Sequence, residues 1–215
     1  MSILFLQFLL GIVFLSVIYM HLTRLNISAV VSYSLQSLAI VLILINSYLE
    51  TREPFLIIVI LTTLVVKVVL SSVFFVGLVK RKKLTFSASN YLNIPLTLIL
   101  IAMFTVVAHS EQFSLLTNLV SAHNSLLSLS LATIFISLFL TVNRKGALSQ
   151  ALGVLSLENS ILAFALFAGL EKSPMLQIGI IFDIAIWIVI ATVFISMIYE
   201  HFGSLDTSLM KKVKN

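Results

Sequence analysis

The stretch FLIIVILTTLVVKVVLSSVFFVGLV (residues 55–79) runs for a full helical crossing of a bilayer with a single ionisable side chain. A helix needs about 20 predominantly apolar residues to span a hydrocarbon core of about 30 Å. Seven such segments follow one another, at roughly 3–21, 27–49, 55–79, 92–109, 125–142, 147–169 and 175–199. Only 10% of the 215 residues are charged and 60% are hydrophobic. The mean hydropathy is +1.17. A soluble domain carries roughly a quarter charged residues, so these numbers exclude that class. The expectation is an all-α, polytopic helix bundle of about seven transmembrane helices in the cell (inner) membrane, with almost nothing outside it. The first segment has no basic leader and no small-residue cleavage site, which makes it a retained span.

The distribution of Lys and Arg sets an orientation. Arg24, then Lys80, Arg81, Lys82 and Lys83, then Arg144 and Lys145, then Lys211, Lys212 and Lys214 fall on one side. Arg52 and Lys172 fall on the other, and Lys67 lies inside a span. Cytoplasmic loops carry the excess of basic residues, so the N-terminus is expected outside and the C-terminus in the cytoplasm. The net charge of +5 is thereby a topology signal and not a nucleic-acid footprint. Docking of the KRKK run (80–83) on anionic membrane lipid is the lesser reading.

There is no cysteine, hence no disulfide and no thiolate for an iron–sulfur cluster or a Cys-ligated zinc. His21, His109, His123 and His201 fall at helix ends or in loops and form no matched haem pair. Glycine-rich phosphate loops, HExxH and GxSxG are missing. No cofactor, no metal and no catalytic residue is expected, and the chain is not expected to be an enzyme by itself.

Three ionisable residues remain within spans: Lys67, Glu158 and Asp183. Each costs about 2.5–3.5 kcal/mol at a helix centre on insertion scales. Lys67 is ~20 Å from either end of its helix, beyond the ~6 Å that a lysine can snorkel. Thr63, Lys67 and Ser71 recur at i, i+4, i+8 and line one face. Glu158 shares a face with Ala151, Val154, Leu162 and Ala165. The opposite face carries Ser149, Gly153, Ser156, Ser160 and Ala163, small residues that let another helix approach closely. Asn159, about 100° round the helix, is placed to hydrogen-bond a neighbour. Asp183 lies nearer the outer surface, with Gly179 a turn before it and Trp187 a turn after. Gln36, on a face with Ser32 and Tyr33, suits a helix-packing hydrogen bond. Intramembrane charges mark ion or proton movement by default, while a structural Lys67–Glu158 ion pair is the bland alternative.

The segments QALGVLSLENSILAFAL (150–166), SPMLQIGIIFDIAIWIVIATVF (173–194) and FGSLDTSLMKKVK (202–214) resemble the hydrogenase-4 membrane component E family. YSLQSLAI (33–40) and TTLVVKVVL (62–70) are similar to that family's first half. The resemblance implies a non-catalytic membrane subunit of complex I-like group 4 hydrogenase or formate hydrogenlyase-type complexes. Residues 1–142 would form an N-terminal five-helix region. Residues 143–215 would form a region similar to the small subunit K of respiratory complex I, with a short cytoplasmic tail. Its partners would be antiporter-like membrane subunits and, indirectly, a peripheral iron–sulfur arm, with no nucleic acid. Glu158 fits the first of that subunit's two intramembrane glutamates; for the second the chain departs from the pattern and offers an aspartate, Asp183, with its register in the last span open. Glu158, Asp183 and Lys67 would then relay a proton or sodium ion, supported by Asn159, Gln36, Thr63 and Ser71. A secondary transporter and a structural spacer between antiporter-like subunits are the alternatives; against the transporter, no internal repeat is visible.

Overall fold

The computed structural model describes residues 3–81, 90–117, 120, 123–170 and the isolated positions 173, 179, 186, 187, 189 and 193. By contacts the chain divides into two compact units, Met1–Leu176 and Gln177–Asn215. The seventh expected span (175–199), with Asp183, lies outside the described residues apart from a few positions.

The described residues of the first unit are mostly helical, and no strand occurs among them. Helix α1 (Ile3–Leu22) turns at Thr23–Leu25 into α2 (Asn26–Thr51). In that turn the Thr23 hydroxyl accepts from the Leu25 N–H at 3.2 Å. Helix α2 stops at Arg52, whose left-handed φ of 55° lets its N–H return to the Tyr48 carbonyl, an αL ending of a common kind. Pro54 then starts α3 (Phe55–Thr62), which passes through a π-helical stretch, Thr63–Leu70, into α4 (Ser71–Arg81). Together these make one 26-residue rod, Phe55–Lys80.

Asn93 caps α5 (Ile94–Ala108) by accepting from the Leu96 N–H, with Pro95 in the first turn. Helix α7 (Asn124–Asn143) and helix α8 (Ala147–Phe167) complete the unit. Among the described residues, five helices are long and apolar enough to cross a membrane: α1, α2, the α3–α4 rod, α7 and α8. The fourth expected span (92–109) departs from a simple crossing. Helix α5 has only 15 residues, about 22 Å at 1.5 Å per residue. It breaks at His109–Ser110, and the Ser110 hydroxyl donates to the Val107 carbonyl at 2.7 Å. The chain resumes, bent by 55°, as a 3-10 turn (Glu111–Phe113) and the short helix α6 (Ser114–Thr117). The polar triplet Ser110-Glu111-Gln112 is the reason: its backbone and side-chain groups compete for the bonds that would continue the helix. Counting the bent pair as one span gives six.

Helices α1, α2, α7 and α8 pack against one another, with the α3–α4 rod on α2 and α5 on α7. Leu10, Tyr33, Ile40, Leu44, Ile136 and Leu155 are fully buried between them. The outward faces carry Leu4, Phe8, Ile58, Val73 and Val106, all more than half exposed. An apolar skin of this extent is a liability in water and the ordinary surface of a protein in lipid. The chain is therefore a multi-pass helical membrane protein.

Without a hydrophobic force between helices in lipid, close backbone approach has to come from small residues. Gly153 of α8 supplies it: a Cβ there would lie 2.9 Å from the Thr141 nitrogen and 3.0 Å from its Cα. The small-residue stripe read from the sequence is thus the α7–α8 contact face, with Ser156, Ser160 and Ala163 fully buried along it.

Candidate functional site

The π-helical stretch builds the site from below. Four of its eight residues are valines (Val65, Val66, Val68 and Val69) around Lys67. Its wider turn leaves the Val66 carbonyl to be met five residues on, by both the N–H and the hydroxyl of Ser71. A π-turn of this kind inside an α-helix is uncommon and is frequent at functional sites. Thr63, Lys67 and Ser71 are buried on one face, as their spacing indicates. The Ser71 hydroxyl also donates to the Val66 carbonyl of its own helix at 2.8 Å and so supports the turn's geometry.

Lys67 Nζ lies 3.6 Å from Glu158 Oε2 on α8. It also donates to Asn159 Oδ1 at 3.2 Å. Asn159 in turn donates from Nδ2 to the Ser37 hydroxyl of α2 at 2.9 Å. The Lys67 and Glu158 side chains are 5% and 12% exposed, while Asn159 and Ser37 are fully buried. Two adjacent residues on α8 thereby hold one cation, Glu158 with charge and Asn159 with a hydrogen bond. Opposite charges out of water attract strongly, which offsets the penalty of removing both from it only when further hydrogen bonds are present. Asn159 provides one.

Beside this group a second polar string joins α2 and α8 to α7. Gln36 Nε2 donates to the Ser156 hydroxyl at 2.9 Å. The Ser156 and Ser160 hydroxyls each lie 3.1 Å from that of Ser137 on α7. Ser160 also donates to the Ser156 carbonyl at 2.8 Å. Gln36 thus makes the helix-packing bond expected of it. Of the sequence-derived candidates, Lys67, Glu158 and Asn159 meet directly. Gln36 sits one residue from Ser37 in the parallel string, and Thr63 lies on the Lys67 face a turn away.

Ser37 and Ser137 escaped the sequence reading. For Ser137 a signal existed, since Ser130, Thr133, Ser137 and Thr141 recur at helical spacing on α7. A second pair, Ser34 and Ser72, ties α2 to α4 with hydroxyls 2.6 Å apart.

Arg144, counted from sequence as a loop charge, is only 3% exposed. Its Nη2 donates to the carbonyls of Met20, His21 (3.0 Å) and Thr23 (2.8 Å), at the last turn of α1. The preceding Asn143 accepts from the Leu92 N–H at 3.0 Å, its carbonyl accepts from the Tyr91 N–H at 2.9 Å, and its Nδ2 donates to Thr97. Burial holds the Arg144 guanidinium below its ordinary pKa, yet arginine starts so high that the group stays cationic. His21, expected at an exposed helix end, is also buried. Its Nε2 lies 3.0 Å from the Ile136 carbonyl and its ring stacks on Phe139. These contacts put the ends of α1 and α7 and the start of α5 at one end of the bundle. Among the described residues, no three of His, Asp and Glu are grouped to hold a metal ion. No known protein family, curated protein or solved structure matches the chain.

Proposed function

We propose that this protein is a non-catalytic subunit of a complex I-like membrane assembly of the group 4 hydrogenase or formate hydrogenlyase type. In this reading it resides in the cell inner membrane with its N-terminus outside. Glu158 is a proton- or sodium-carrying group, Lys67 the cation that tunes it, and Asp183 a further carrier. The resemblance of residues 150–166, 173–194 and 202–214 to hydrogenase-4 component E motivates the choice of assembly.

The observation that carries the reading is the Lys67–Glu158 contact at 3.6 Å in a nearly dry interior. A carboxylate beside a lysine can accept a proton, or exchange a bound cation, with little movement of the helices. The neighbouring amide and hydroxyls of Asn159, Ser37, Gln36, Ser156, Ser137 and Ser160 are polar groups past which a charge can move without entering lipid. Redox centres would belong to partner subunits: antiporter-like membrane chains and, beyond them, a cysteine-rich peripheral arm.

Tagged purification from native membranes in mild detergent, with mass spectrometry of the co-purifying chains, tests the assembly. Recovery of antiporter-like subunits with iron–sulfur proteins supports it, and recovery of the protein alone overturns it. The carrier role is tested by Glu158→Gln in inverted vesicles, where assembly persists and redox-driven ion uptake is lost. Full uptake by that variant leaves the second reading, a structural spacer. One observation favours the spacer: Lys67 is held by two partners at once, as a register-fixing ion would be.

A further inference from the structure

A groove of about 440 Å³ runs between α1 and α2 on the outer face of the bundle. Its rims are Leu15 and Tyr19 of α1 and Ile27, Val31 and Leu35 of α2, each at least 40% exposed, and the half-buried Ser28 of α2 lines it between them. The wall from Ile27 to Leu35 is about 12 Å long at 1.5 Å per residue. The floor contains Ser16 and Ser32, and the Ser32 hydroxyl already donates to the Ser16 carbonyl at 3.0 Å. The two walls are joined by the Thr23–Leu25 turn, where Arg24 stands exposed.

Among the described residues, the charges at that end all have one sign. Lys80, Arg144 and Lys145 lie at the same end of the bundle as Arg24. The described carboxylates are elsewhere: Glu50 and Glu53 at the α2–α3 turn, Glu111 past the far end of α5, and Glu158 at mid-depth. Arg144 is occupied by α1 carbonyls and Lys145 lies 4.9 Å over the Tyr91 ring. Arg24 is exposed, five residues after Tyr19, an aromatic of the kind enriched at membrane interfaces.

We propose that this groove holds one acyl chain of an anionic phospholipid whose phosphate rests on Arg24. Another helix is a poorer occupant. Helices associate in lipid through small residues and interhelical hydrogen bonds, whereas these rims are large and the Ser32 hydroxyl on the floor is already engaged. A flexible chain fits between large rims. The groove itself gives an acyl chain no preference over bulk lipid, so selection comes from the headgroup, through the positive end of the bundle.

The test uses the full-length protein in phosphatidylcholine nanodiscs, doped with phosphatidylglycerol or phosphatidylcholine carrying a photoreactive diazirine on one acyl chain. Labelled peptides are mapped by mass spectrometry. The phosphatidylglycerol probe is expected to label residues 15–35 about fivefold more than the phosphatidylcholine probe, the ratio that one basic residue gives at an anionic headgroup. Arg24→Gln, at an exposed position, removes that preference and Arg24→Lys keeps it. Ser28→Trp fills the groove and abolishes labelling of this stretch while labelling of the α3–α4 rod continues. Equal labelling by both probes, or an unchanged preference in Arg24→Gln, overturns the proposal. So does material from native membranes in which a partner chain cross-links to Leu15 or Val31 in place of lipid.

Discussion

Lys67 and Arg144 are nearly equally buried, at 4% and 3% exposure, yet they are held in opposite ways. Lys67 meets a carboxylate and an amide from the middle of another helix. Arg144 donates to neutral carbonyls at the end of α1, where the negative end of the helix dipole lies. The first arrangement contains a partner that can change charge. The second does not, and its guanidinium keeps its proton at any ordinary pH. A cation with a titratable partner at mid-membrane suits transfer, while a cation with fixed partners at a helix end suits fastening.

The contrast can be broken experimentally, and the largest effect falls on the mid-membrane pair. Lys67→Met alone leaves Glu158 buried beside an apolar chain and is expected to destabilise by about 3–5 kcal/mol. The double variant Lys67→Met/Glu158→Leu recovers most of that loss. Thermal unfolding in detergent reads both, and a double variant as unstable as the single would show the pair is not a unit. Arg144→Ala removes charge-assisted bonds from a helix end and is expected to cost about 2–3 kcal/mol. No second side-chain substitution is expected to restore the three bonds to Met20, His21 and Thr23, because those acceptors are backbone carbonyls. A rescue by any change in α1 side chains would erase the distinction drawn here.

Gly153→Val forces a side chain onto the Thr141 backbone and is expected to cost about 1–3 kcal/mol by overpacking. It should also part Ser137 from Ser156 while sparing Arg144, so faster hydrogen exchange in α7 and α8 is expected with α1 unaffected. The smallest effect, about 1 kcal/mol, belongs to Ser37→Ala. It leaves Lys67 on Glu158 and removes only the anchor of Asn159.

The mid-membrane group was legible in the sequence because charge inside an apolar run is conspicuous. Lys67, Glu158 and Asn159 were each singled out from one chain segment, and the helical spacing of Ser149, Gly153, Ser156 and Ser160 foretold a close contact face. Their mutual contact was not legible, since residues 67 and 158 meet only through tertiary packing. The bend after α5 was missed because 92–109 is apolar enough for a span, and the break depends on where Ser110 sends its hydroxyl. Arg144 was missed for another reason. Basic residues in short loops are expected on topological grounds alone, and nothing in the sequence distinguishes one that folds back into the bundle.

The π-helical stretch has a consequence for how this chain can vary. A π-turn accommodates one residue more than the α-turn it replaces, an angular offset of about 100°. Above and below Lys67 the rod therefore presents faces that an uninterrupted α-helix would not align. Loss of a single residue between Thr63 and Ser71 would let the stretch close into regular helix. It would swing either the Phe55–Thr62 half or the Ser71–Arg81 half away from α2. Length changes at this point are thus not neutral spacers. They act as a dial on which residues of the third span face protein and which face lipid, and homologues that differ here by one residue should differ in that facing.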